Sequence, residues 1–272
     1  MRPGPVLKKD LTVLSRSHLL PGLFLVLNVL LFLFGMAGMS GLTALMRGSL
    51  RENYRDFVGL FSLTVLLDYL LLMLMAPALT AGAIGAEKNS GNLDLMLMSS
   101  LKSRDVVLGK LLAAFTTAAV MLVSALPFLS MPLLYGGSDI LLILRMLAAM
   151  LTGILYGLSA GLLAGALSAD VLRSAILAYL LLLVPGILLP LPYLIAGEQS
   201  LLPGFLLLLD PFQPMMGLLA ESFRGSTTAP ALQNWIRQLA SCASTEHALI
   251  AQLILSLLML AGAVRLTGRK KG

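Results

Sequence analysis

The chain has 272 residues, of which 58% are apolar and only 12% charged, with 19 Lys and Arg against 13 Asp and Glu. An ordinary globular protein carries roughly 25% charged residues, and a soluble domain of this size could not cover its surface with so few. With a mean hydropathy of +0.93, the solvent for much of the chain is lipid. The net charge of +6 then concerns orientation and anionic headgroups, with no nucleic acid as partner. The single cysteine, Cys242, excludes an internal disulfide framework and a multi-cysteine metal site.

In chain order, residues 1–18 come first. Leu7, Leu11, Leu14 and His18 share one helical stripe while Lys8, Lys9 and Arg16 lie elsewhere, which predicts an amphipathic helix in the headgroup layer. The first apolar run is too long for a cleavable signal. Apolar runs at about 19–46, 57–82, 106–135, 140–167, 174–196 and 248–266 are each long enough to cross, and lipid leaves helices as the default. The expected fold is an all-α integral membrane protein of six transmembrane helices in a single domain. Pro127 and Pro132 in the third span, and Pro185, Pro190 and Pro192 in the fifth, should kink both.

Leu201 to Ala220 could tempt a seventh span, but Asp210, Pro211, Gln213 and Pro214 break it. A re-entrant or extracytoplasmic helix pair within 197–247 is expected instead. Parity agrees. Arg2, Lys8, Lys9 and Arg16 near one terminus, and Arg265, Arg269, Lys270 and Lys271 near the other, favour two cytoplasmic ends and an even number of crossings. Six crossings also place Lys88, Lys102, Arg104, Lys110 and Arg173 inside, leaving Arg47, Arg51, Arg55, Arg145, Arg224 and Arg237 outside.

Three features could carry chemistry or packing. Gly157-Leu158-Ser159-Ala160-Gly161 matches the G-x-S-x-G of a hydrolase elbow, but it sits within a lipid-length helix and has no histidine nearby in sequence. Gly153, Gly157, Gly161 and Gly165 recur every fourth residue, a bare stripe that lets another backbone approach. Asp68 is the one acid at mid-span. A charge there costs at least ~2.5 kcal/mol, so it should face the interior, as a proton or substrate contact or as a carboxyl bonded to Tyr69 or Asn28. No metal-binding H-E-x-x-H occurs, and Gly109-Lys110 is followed by Leu111, with Arg104 where a P-loop needs glycine.

The loop over 83–105, between the second and third spans, is the most informative segment. Ser90-Gly91-Asn92 supplies a turn, Asp94 sits at the start of a helix, and Leu93, Met96, Leu97 and Leu101 face one way. Such a helix lies in the interface or docks in a partner's groove. Ser103 with Asp105 should cap the next helix.

This segment resembles the signature of type-2, exporter-like ABC-transporter permeases. The likeness rests on Glu87-Lys88, Gly91-Asn92-Leu93-Asp94, Leu95 to Leu97, Ser99-Ser100 and Gly109-Lys110. Asn92 stands where Thr is usual, and Ser100 where Pro is usual. The opening Pro5 to Ser17 is similar to the family's leading amphipathic helix, and Asp210-Pro211-Phe212 to its Ser-Pro-Phe. The resemblance implies a membrane-spanning subunit, without its own nucleotide site or cofactor, in the cytoplasmic membrane. It dimerises with a second copy or a related permease, and a cytosolic ABC ATPase binds the ATP and magnesium. Glu87, Gly91, Leu93, Asp94, Leu97 and Leu101 would then form the ATPase-coupling site. Two other readings compete: a proton- or ion-coupled secondary transporter using Asp68, and an intramembrane enzyme built on Ser159.

Overall fold

The computed structural model describes residues 19–45, 50–91, 102–129, 140–168, 170–196, 204–223, 230–242 and 244–268, and all regular structure among them is helical. The helices are α1 (Leu19–Leu45), α2 (Leu50–Asn89), α3 (Ser103–Leu129), α4 (Ile140–Leu167), α5 (Val171–Leu188) and α6 (Leu191–Ala196). A 3₁₀ segment, Gly204–Leu209, precedes α7 (Gln213–Ser222), α8 (Pro230–Cys242) and α9 (Thr245–Gly268). The leading helix expected over 1–18 lies outside the described residues, as do residues 92–101.

Five stretches are long and apolar enough to cross a bilayer: Phe61–Asn89, Ser103–Pro127, Ile140–Leu167, Val171–Leu188 and Thr245–Gly268. In α1 the qualifying apolar stretch is the shorter Phe24–Met36. Leu27 and Leu31 of α1 are buried, while Leu25, Val26, Phe32 and Leu33 face outward, as a lipid-facing peripheral helix requires.

At the centre stands α4. From Tyr156 to Leu162 each of its residues is buried, the pattern of a helix enclosed on every side. It runs parallel to α2 with the glycine stripe between them: Gly153 meets Tyr69, Gly157 meets Ala76, Gly161 meets Thr80 and Gly165 meets Ala81. The contacts advance in step along both helices. A Cβ at Gly157 would lie 2.8 Å from that of Ala76, and one at Gly165 would lie 2.8 Å from the Ala81 carbonyl oxygen. Only bare backbone admits this approach. Thr80 turns the proximity into a bond, its hydroxyl donating to the Leu158 carbonyl at 2.9 Å.

Three expected boundaries shift. The second crossing, expected over 57–82, belongs to a continuous helix of 40 residues with Pro77 inside it, about 60 Å at 1.5 Å per residue. The loop expected from 83 therefore starts only after Asn89, where Gly91 adopts φ 72° and turns the chain out. The helix survives through Glu87 and Lys88 because both find partners on neighbouring helices. In the fifth crossing, α5 ends at Leu188 and a separate turn, α6, follows. Pro190 has no N–H to donate and restricts Leu189, so it ends the helix where a kink was expected. Pro127 and Pro185 lie inside helices, and Pro132 falls outside the described residues.

Candidate functional site

Five helix ends meet at one end of the bundle. The last turns of α2 approach the first turns of α3, the final turn of α4, the start of α5 and the end of α9. Adjacent residues on a helix project about 100° apart, so Glu87 and Lys88 address different neighbours. Glu87 reaches α3, where its Oε1 lies 3.0 Å from Lys110 Nζ, with the two side chains 13% and 4% exposed. Lys88 reaches α4, its Nζ donating to the Ala166 carbonyl at 2.8 Å. That carbonyl belongs to a C-terminal turn whose acceptors have no intrahelical donor and whose dipole favours a cation.

The remaining ends close around this pair. A Cβ at Gly85 would lie 2.8 Å from Ser174 Oγ of α5, and one at Gly268 would lie 3.0 Å from Ser103 Oγ of α3. Ser174 donates its hydroxyl to the Asp170 carbonyl at 2.8 Å, fixing the start of α5. At the start of α3 the Lys102 N–H donates to Asp105 Oδ2 at 3.4 Å, so Asp105 supplies its half of the cap expected from Ser103 and Asp105, while Ser103 is the first helical residue. Of the expected coupling residues, Glu87 and Gly91 fall here; Leu93, Asp94, Leu97 and Leu101 lie outside the described residues. The sequence offers Lys110 only as a topology charge and as the close of a motif. A lone lysine two turns into an apolar helix was the available signal, since a buried charge demands a partner.

A second polar cluster lies deeper, around Tyr69. Pro211, in the turn between the 3₁₀ segment and α7, offers its carbonyl to Tyr69 Oη at 2.7 Å and to Gln252 Nε2 of α9 at 3.0 Å. Gln252 Oε1 in turn accepts from Thr152 Oγ1 of α4 at 3.0 Å. The Phe212 ring packs edge-on against Tyr69, with centroids 6.2 Å apart, and Phe212 N–H donates to Asp210 Oδ1 at 2.9 Å. Gly186 of α5 leaves room for the Phe212 ring. Burial pushes the Asp210 carboxyl up to about 7, against the opposing pull of the Phe212 N–H. The sequence marks Asp210-Pro211 as a breaker and, with Phe212, as similar to a Ser-Pro-Phe; the turn is drawn into the bundle because three helices supply its partners.

Asp68 is fully buried, and neither carboxyl oxygen has a hydrogen-bond partner among the described residues. The expected pairing with Tyr69 or Asn28 is not made. Tyr69 points to Pro211, and Asn28 Nδ2 donates to Phe24 O at 2.9 Å and to Ser124 Oγ at 3.1 Å. Asp68 and Tyr69 are adjacent on one helix and so face different ways.

Ser159 is buried with its hydroxyl donating to Leu155 O of its own helix at 2.6 Å. Among the described residues the histidine is His247, at the start of α9 and bonded to Ser244. Among the described residues, no base is bonded to Ser159. Among the described residues, no three His, Cys, Asp or Glu gather to hold a metal ion.

A comparison with curated proteins finds no match. A scan against family models matches residues 5–270 to the one described as ABC-2 family transporter protein. Nearly the whole multi-pass helical bundle is covered, and the chain belongs to that family of ABC-transporter permeases.

Proposed function

We propose that this chain is the membrane-spanning subunit of an exporter whose energy comes from a separate cytosolic ATPase docked on its 83–105 segment. In this reading α1, α2, α3, α4, α5 and α9 are six crossings, and both termini face the cytoplasm. A second copy or a related permease completes the pore, and ATP and magnesium bind the partner ATPase. Leu93, Leu97 and Leu101 form the apolar face that seats in the ATPase.

The observation that carries this reading is the junction of helix ends. Both arms of the loop are tied to each other and to α4 at the level where it leaves the bundle, so force on the loop has a path into the helices. Ligand-driven motion needs contacts that differ between two states, and a nucleotide cycle in a docked partner supplies that difference. The test is co-expression and copurification with a candidate ABC ATPase, followed by hydrolysis in lipid nanodiscs. Wild-type chain should stimulate hydrolysis, and Leu97→Asp should abolish the stimulation. Equal stimulation by Leu97→Asp would refute docking through this segment.

A second reading, a proton- or ion-coupled secondary transporter, has one observation in its favour: the buried Asp68 carboxyl without a hydrogen-bond partner. It predicts transport that needs no ATPase and is lost in Asp68→Asn. The exporter reading predicts dependence on the ATPase in both forms.

A further inference from the structure

We infer that Lys110 is a positioning residue of the transport cycle: with Glu87 and Lys88 it forms an internal strut that makes the loop and helices α2, α3 and α4 move as one body. The inference rests on the exporter reading and assigns Glu87 a different task from partner contact. A side chain 13% exposed, with its carboxylate 3.0 Å from a buried ammonium, is poorly placed to meet a docking protein. It is well placed to join the two helices from which the loop hangs.

The geometry is that of a two-way tie. Glu87 and Lys88 are consecutive, so any tilt or rotation of the last turn of α2 pulls on both neighbours together. On one side the Glu87–Lys110 ion pair holds α3, and on the other the Lys88–Ala166 bond holds the C-terminal turn of α4. The glycine stripe continues this attachment, since Gly165 sits against Ala81, Ile84 and Gly85 just above it. Without the ion pair the arms of the loop could part, and a push from below would spread them instead of moving the helices. A buried ion pair is often replaceable by neutral groups with no loss of fold. Stability and transmission are therefore separable.

The experiment compares the permease–ATPase complex in nanodiscs for wild type, the neutral pair Glu87→Gln/Lys110→Met, the exchanged pair Glu87→Lys/Lys110→Glu, and the conservative Lys110→Arg. Retention of the ATPase and its stimulated hydrolysis are read separately. The neutral pair should keep the ATPase bound yet lose at least about fivefold of the stimulation, while Lys110→Arg stays within about twofold of wild type. The exchanged pair, where it folds, should also recover to within about twofold. A neutral pair that stimulates like wild type overturns the strut alone, as does a folded exchanged pair no better than the neutral one. A wild-type chain that retains no ATPase overturns the exporter reading itself.

Discussion

Replacing Gly161 by alanine probes one of the tightest approaches among the described residues. The added methyl would run into Thr80 Oγ1, and it would lie 2.9 Å from the Pro77 carbonyl oxygen and 3.1 Å from the Ala81 nitrogen. Two of those three atoms are backbone, so α2 must move away from α4 as a body. Overpacking of this kind costs about 1–3 kcal/mol. Loss of the Thr80–Leu158 hydrogen bond adds about 0.6 kcal/mol, as for interhelical bonds in membranes. Against this, alanine improves helix propensity by about 1 kcal/mol. The net expectation is destabilisation by about 0.6–2.6 kcal/mol, measured by sodium dodecyl sulfate titration from mixed micelles with Trp235 fluorescence as the probe. Gly35→Ala is the control, since a Cβ there meets nothing within 4 Å, and it should be neutral or slightly stabilising. If Gly161→Ala matched Gly35→Ala, the stripe would not be the packing seam described.

Other substitutions test the deeper cluster and the alternatives. Tyr69→Phe and Gln252→Leu each remove one of two donors to Pro211 O, so each should cost about 1 kcal/mol, and the double variant more than the sum. Unfolding titrations over the double-mutant cycle measure that excess. The Asp210 carboxyl, raised by burial, holds its proton in the folded state where the unfolded chain has released it. Wild type should therefore lose stability relative to Asp210→Asn as pH rises from about 4 to about 7, with the difference constant above that. A flat difference across the window would show that Asp210 is not buried as described. Ser159→Ala removes only a bond to Leu155 of the same helix and should leave both stability and ATPase stimulation unchanged; loss of stimulation would reopen a chemical role for the hydroxyl.

Five of the six expected apolar runs were legible as helices long and apolar enough to cross, because twenty-residue apolar runs have few alternatives in lipid. The glycine stripe was legible because its four-residue period matches a helix face. Boundaries were harder to place. Glu87 and Lys88 read as loop residues, yet they are the last helical turn of α2, because partners 23 and 78 residues further along the chain satisfy them. The Pro211 turn had the same difficulty: Tyr69 and Gln252 carry no local signal, and only the packed bundle brings their donors to one carbonyl. Asp105 was different, since a cap is satisfied within its own turn and sequence alone suffices.

An exporter driven by a separate ATPase requires force to arrive through the loop that follows α2, and proximity cross-linking tests this directly. In a Cys242→Ser background, a single cysteine at Leu97 should form a cross-link to the ATPase that changes with bound nucleotide. A cysteine at Trp235, on α8, should form none. A cross-link from Trp235 and none from Leu97 would place the partner at the opposite end of the bundle and contradict the account.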